Sequence, residues 1–293
     1  MMFESKILTG YGKSHASFGE LLQGRLTDNR DFLVTLPIDL WSICNLTAVI
    51  RPGPLVINCE YFKSKRVAEM LLEKLGIKDN YEITISFSRN IPVGKGLSSS
   101  TADMLSTIRA LQEIFGFLLR EKTISEIFIA IEPHDGLMFK SCVVYDHRKG
   151  ELIKELLYIP DFWIVAIDFG GTVDTLTYNQ NLKFTDEITH QYEALLKSLE
   201  TAFGDKNDKE IARCASESTE IHLKLNNNSE RLKVALESRR FEPLGIINTH
   251  SGTCLGLLFP RSIEKPEILK IATDVNSYFQ YPVFLTSTLK LLI

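Results

Sequence analysis

One ten-residue stretch constrains this chain more than any other: Pro92-Val93-Gly94-Lys95-Gly96-Leu97-Ser98-Ser99-Ser100-Thr101. Before it, Tyr81 to Phe87 alternates apolar and polar residues, as a half-buried strand does. After it, Met104, Leu105, Ile108, Leu111 and Phe115 form an apolar stripe at three- and four-residue steps, which predicts a helix ending near Gly116. Pro92 stops the strand, Gly94 and Gly96 permit close backbone approach, and the serines put hydroxyls where the helix begins. Strand, glycine turn and helix start in that order leave open N–H groups and the positive end of the helix dipole at the turn. That environment suits phosphate oxygens, and hydroxyls of a first helical turn suit Mg²⁺, which prefers hard oxygen donors. A serine-rich helix cap that binds nothing has the same composition. The stretch is not a Walker P-loop, because Lys-Ser/Thr does not follow the second glycine, and G-x-G-x-x-G is absent.

The rest of the chain mixes the same two kinds of element. Strands are expected at Asp31 to Leu36 and Trp41 to Ile50, separated by a break at Pro37, and at Leu55 to Asn58 after the Pro-Gly-Pro turn. Phe62 to Leu75 has helical spacing and closes on Gly76, and a second helix is expected from about Thr123 to Ile131, stopped by Pro133. Met138 to Tyr145 and Glu151 to Leu157 predict a hairpin around Arg148-Lys149-Gly150. Phe162 to Ile167 is a continuous apolar run and predicts a buried strand. Thr185 to about Arg239 is helical and polar with a turn at Asn226-Asn227-Asn228. A helix near Pro266 to Phe279 lies between strand-like segments at Leu244 to Asn248 and Val283 to Leu285. The composition shift near 155 to 160 is the candidate boundary between two intimately packed domains, 1–157 and 158–293.

Composition narrows the function. With 44% hydrophobic and 24% charged residues the 293-residue chain is globular rather than disordered, and a net charge of −4 offers no basic surface for nucleic acid. Five scattered cysteines without a C-x-x-C pair suit reduced thiols rather than disulfides or zinc. No apolar run approaches the length of a membrane span, and the first twelve residues lack the pattern of a signal peptide, so a cytoplasmic protein is expected.

The ten-residue loop resembles that of the GHMP kinase family, named for galactokinase, homoserine kinase, mevalonate kinase and phosphomevalonate kinase. That loop reads approximately P-x-x-x-G-L-G/S-S-S-A/S/T, and Ser98 stands where glycine is common. Further segments in the family's order carry the resemblance. Ala16-Ser17-Phe18-Gly19-Glu20-Leu21-Leu22-Gln23-Gly24 is similar to the opening motif of a subgroup typified by the L-threonine kinase of cobalamin assembly. Ser14-His15 stand where that subgroup often has Cys-Pro, and Phe18 where it has Cys. Glu132-Pro133-His134-Asp135-Gly136 resembles the subgroup's E-P-x-D-G/S, and Asn248 to Leu258 the glycine-containing loop that returns from the C-terminal half. Asp168 to Thr175 follows the buried strand at the corresponding junction.

The resemblance implies an α+β, two-domain fold. Its N-terminal half would be like ribosomal protein S5 domain 2 and its C-terminal half ferredoxin-like, with ATP in the cleft between. It implies that Pro92, Gly94, Lys95, Gly96, Leu97, Ser98, Ser99, Ser100 and Thr101 contact ATP, that Ser100 and Glu132 hold Mg²⁺, and that Asp135 is the catalytic carboxylate. Glu20, Gln23, Asp174, Thr175, Ser251, Gly252 and Thr253 are the implied substrate residues, while Lys13, Glu126 and His250 are left undecided. The expected partner is a small hydroxyl acceptor, L-threonine or a relative of it, with no nucleic acid or membrane partner and a homodimer left open. A family member with other ATP chemistry, such as a decarboxylase, and a silent nucleotide-binding regulator are the alternatives.

Overall fold

Two long strands, β1 (Ile7–Arg25) and β2 (Asp31–Pro54), pair antiparallel into a ribbon on which the other elements are laid. The computed structural model describes residues 6–171, 184–250 and 252–290. Sequence periodicity does not disclose β1, because its glycines and polar residues obscure the alternation. Those glycines serve contact instead. Helix α2 (Ser99–Phe115) lies directly on β1, where a Cβ at Gly12 would sit 1.8 Å from the Ser106 carbonyl oxygen and one at Gly10 2.4 Å from that of Ala110. Pro37 does not break β2 as expected. It pairs with Ser17, where the register slips on both sides, so its missing N–H falls in an irregular part of the ladder.

On one side of the ribbon β2 pairs with β4 (Asp79–Arg89), and β3 (Val56–Asn58) adds in parallel. Helices α1 (Phe62–Lys74) and α3 (Glu121–Ile129) pack beside α2. Gly76 at φ 74° and Gly116 at φ 68° end α1 and α2 in the left-handed conformation that glycine adopts without strain. The expected hairpin forms from β5 (Val143–Asp146) and β6 (Glu151–Glu155), but β5 starts later than expected. Residues 136–139 fold into a turn in which the Phe139 N–H donates to the Gly136 carbonyl at 3.2 Å.

On the other side the sheet continues in the order β10-β7-β9-β8-β1, through β7 (Phe162–Asp168), β8 (Gly245–Asn248), β9 (Cys254–Pro260) and β10 (Val283–Ser287). The apolar run of β7 is paired on both edges and buried, as its composition predicts. Strand β9, which the sequence reading leaves within a loop, buries Leu255, Leu257 and Leu258 completely. The polar helical stretch resolves into α4 (Asp186–Gly204), α5 (Asp208–Leu225) and α6 (Ser229–Glu237). Thr185, Asn207 and Asn228 cap them, each accepting the N–H three residues on. A last helix, α7 (Lys265–Phe279), covers β7 and β10. Among the described residues no helix is long and apolar enough to cross a membrane.

Strands β1 and β8 join the two parts of the sheet through the pair Glu20 opposite Asn248, and an Ile38–Thr288 bridge joins them again beside β2. Gly19 makes the first of these possible: it sits at φ 54°, and a Cβ there would come within 2.3 Å of the Asn248 carbonyl oxygen. Glu20 is thereby fixed at the seam.

Candidate functional site

The loop from β4 into α2 turns through three residues in left-handed conformation, Gly94 (φ 74°), Gly96 (φ 76°) and Ser98 (φ 57°). For a residue with a Cβ that conformation costs about 1–2 kcal/mol, so glycine would sit at position 98 with less strain than serine. Ser98 offsets the strain through its hydroxyl, which donates to Asp135 Oδ2 and lies against Ser17 Oγ. Gly96 is pressed on the returning loop, where a Cβ would lie 2.5 Å from Gly252 Cα. No side chain caps α2, so the N–H groups of Ser99, Ser100 and Thr101 open on a cavity of about 270 Å³. Its walls include Glu20, Lys63, Glu132, Asp135, His147 and His250.

Asp135 follows α3 in a loop held by its neighbour. The His134 N–H donates to the His147 carbonyl at 3.3 Å. The His134 ring bonds the Asp135 carbonyl through Nδ1 at 2.8 Å and meets Tyr145 Oη through Nε2 at 3.1 Å. Burial pulls this imidazole below its ordinary pKa, so at neutral pH it is uncharged and acts as a brace. The Asp135 side chain is 8% exposed. Ser17 Oγ donates to its Oδ2 at 3.1 Å, alongside Ser98, while its Oδ1 is buried without a hydrogen-bond partner among the described residues. A buried acceptor left unsatisfied is unfavourable by about 1–3 kcal/mol, so a bound hydroxyl here would be stabilised.

Two further carboxyls face the cavity. Glu20 is 4% exposed and accepts a 2.7 Å bond from Thr35 Oγ1. Burial, and after it the charge of Asp135, push its carboxyl up to about 8 against the Thr35 bond, so it is mostly protonated at pH 7. Glu132 accepts from Ser100 Oγ at 2.9 Å through Oε1 and from Lys63 Nζ at 2.5 Å through Oε2. Ser100 and Glu132 thus present the hard oxygens that suit Mg²⁺. Among the described residues no three His, Cys, Asp or Glu side chains gather into a metal site, so a cation here relies on these two oxygens, with water and ligand completing its shell.

Two imidazoles of a histidine cluster, His147 and His250, also line the cavity. His147, after β5, is 5% exposed, and neither ring nitrogen has a hydrogen-bond partner among the described residues. Its ring lies 5.4 Å from His250, which is 5.7 Å from His222 on α5 and bonds Gln23 Oε1. A second, small cavity of about 20 Å³ behind them is lined by Gln23, Asp31, Arg148 and the same three histidines. Burial, with the positive charge of Arg148, pushes His147 and His250 down to about 3.

Several expected residues lie elsewhere. Lys95 is tied to Asp168 at 2.8 Å and to the Gly171 carbonyl at 3.1 Å, and neither it nor Pro92 lines the cavity. Thr253 donates to Asp168 at 3.0 Å and Gly252 packs on Lys95 and Gly96, so both brace the loop from behind. Gln23 lies in the small cavity. Asp174, Thr175 and Ser251 are outside the described residues. Lys13 is exposed with its ammonium 3.6 Å from the centre of the Trp41 ring, and Glu126 is exposed on α3. Sequence reasoning passed over Lys63, Ser17 and His147, which carry no local signal, since a lysine on a polar helix face and a histidine in a hairpin turn are ordinary surface residues.

Comparison with known proteins places this geometry. Residues 61–139 match the family described as GHMP kinases N terminal domain, a span that includes the loop, Lys63, Glu132 and Asp135. The chain is 34% identical over 137 residues to an L-threonine kinase of Salmonella typhimurium, covering 46% of this chain and 44% of that one. It is 27% identical over 167 residues to an L-threonine kinase of Citrobacter freundii, covering 56% of each. These matches span about half the length of the relatives. A homoserine kinase from Cytophaga hutchinsonii superposes with a TM-score of 0.74 at 14% identity, over 99% of this chain and 97% of that one, so the fold is that of the GHMP kinases throughout.

Proposed function

We propose that this chain, which carries the GHMP kinase N-terminal domain on the GHMP kinase fold, transfers the γ-phosphoryl group of ATP to the hydroxyl of a small molecule. One observation carries the reading: the unpartnered Oδ1 of Asp135 shares a cavity with the uncapped start of α2. Phosphoryl transfer is mostly positioning and charge stabilisation, and this arrangement supplies both. The loop from Gly94 to Ser98 and the N–H groups of Ser99, Ser100 and Thr101 would hold the triphosphate at the positive helix end, with Lys63 adding charge. Ser100 and Glu132 would hold Mg²⁺, which when bound screens the phosphate oxygens. Asp135 receives the proton of the attacking hydroxyl at Oδ1 while Ser17 and Ser98 fix its Oδ2.

The acceptor we propose is L-threonine or a related hydroxy amino acid or amino alcohol, a choice supported by the matched L-threonine kinases. The product would then be O-phospho-L-threonine, which the resemblance ties to the cobalamin side chain, made in the cytoplasm. Glu20 would face the acceptor with Gln23 behind it, while Gly252 and Thr253 would act through the loop they support. We place the boundary between the halves near residue 157, between β6 and β7. ADP release measured over a panel of hydroxy compounds tests the reading. Acceptor-dependent ADP is expected, and Asp135→Asn should lower kcat by about 10² with the KM for ATP nearly unchanged. Tight ATP binding without turnover of any alcohol would refute it in favour of a regulator.

A further inference from the structure

The start of α2 and Asp135 account for the transferred group and the attacking oxygen, but not for the histidines that line the same cavity. His147 is 5% exposed, and among the described residues neither of its ring nitrogens has a hydrogen-bond partner, while it lines the cavity that holds Asp135. Buried polar groups are satisfied in all but a few cases, so an imidazole with two orphaned nitrogens points to something that binds there. Among the described residues the charged group acting on both His147 and His250 is the Arg148 guanidinium. Asp31, which lines the small cavity with them, is already held by Arg25 at 2.7 Å and Arg148 at 2.8 Å.

We propose that His147, with His250 beside it, receives a carboxylate on the acceptor, so that this site selects hydroxy acids over plain alcohols, sugars and amino alcohols. The inference rests on the kinase reading above and specifies its substrate class. Its physical logic is economical. Burial keeps both imidazoles uncharged while the site is empty, so no isolated cation is buried. An entering carboxylate brings the counter-charge that lets an imidazole donate a charge-assisted bond. A phosphate is the less apt occupant, because the uncapped start of α2 already provides for phosphate along the same cavity. Glu20 lines the wall as well and leaves room to read a second group, such as an amine, on the same molecule.

The test compares each hydroxy acid with the analogue that lacks its carboxylate: L-threonine with 1-amino-2-propanol, L-serine with ethanolamine, L-homoserine with 3-amino-1-propanol. The wild-type enzyme should favour the acid of the reactive pair by about 10- to 100-fold in kcat/KM, the scale for one buried polar group left unsatisfied by the wrong substrate. His147→Gln, which keeps a polar side chain without a titratable ring, should raise the KM of the acid about 10-fold or more. It should leave the KM of ATP and of the amino alcohol in place. If the amino alcohol reacts as well as its acid, or only sugars or other neutral alcohols are phosphorylated, the carboxylate site is overturned and the kinase reading stands. If His147→Gln moves both members of a pair equally, the carboxylate contact is overturned too. If no alcohol of any class yields ADP, the kinase reading falls and this inference with it. The wild-type comparison decides even if the variant does not fold.

Discussion

Replacing Glu20 by glutamine isolates the electrostatics of the seam. Glu20 sits where β1 meets β8, 4% exposed, with Thr35 Oγ1 at 2.7 Å on its Oε2. Burial first, and the Asp135 charge second, move its carboxyl from 4.5 to about 8. The unfolded chain therefore releases this proton near pH 4.5, while the folded chain keeps it until about pH 8. Between those values the folded state binds more protons, so this group's contribution is fully present below pH 4.5 and is lost as pH rises toward 8. At about 1.4 kcal/mol for each pH unit, the whole window amounts to about 5 kcal/mol at most. Glutamine keeps the shape and the oxygen that Thr35 bonds, but it does not titrate. Urea unfolding of both proteins at pH 5, 6, 7 and 8 gives the difference in stability, in which every other titrating group cancels to first order. Wild type should lose several kcal/mol relative to Glu20→Gln between pH 5 and 8. A difference that stays constant across that range would refute the argument, and would mean that solvent or a partner reaches Glu20 in the folded protein.

Two other substitutions address the loop. Ser100→Ala removes a hydroxyl that bonds Glu132 at 2.9 Å, and should raise the Mg²⁺ concentration needed for half-maximal rate. An identical metal dependence would send the search to other ligands. Gly96→Ala combines φ 76° with a Cβ 2.5 Å from Gly252 Cα, and should destabilise the fold by about 2–4 kcal/mol, read as a drop in Tm and urea midpoint. A loss under about 0.5 kcal/mol would show that the two loops part easily.

The sequence by itself determined the parts that are local in the chain. The strand, glycine turn and serine-bearing helix start lie within about thirty residues, and each leaves a periodic or steric signature that needs no distant partner. Glu132 and Asp135 came from the family resemblance of a short segment after α3 rather than from any periodic signature. Strand β1 was not legible, because Gly10 and Gly12 answer to the backbone of α2, nearly a hundred residues away. Pro37 was misread as a break because the register slips that accommodate it are properties of the paired strand. Tertiary structure alone decided that Lys95 turns to Asp168, that Gly252 backs Gly96, and that Lys63 from α1 reaches Glu132. It alone brought His147 and His250 into the lining of the cavity on which α2 opens. The physical reason is common to all of these: a hydrogen bond or a close approach between remote segments depends on where the sheet carries them, and side-chain chemistry along a sequence holds no record of that position until the chain is folded.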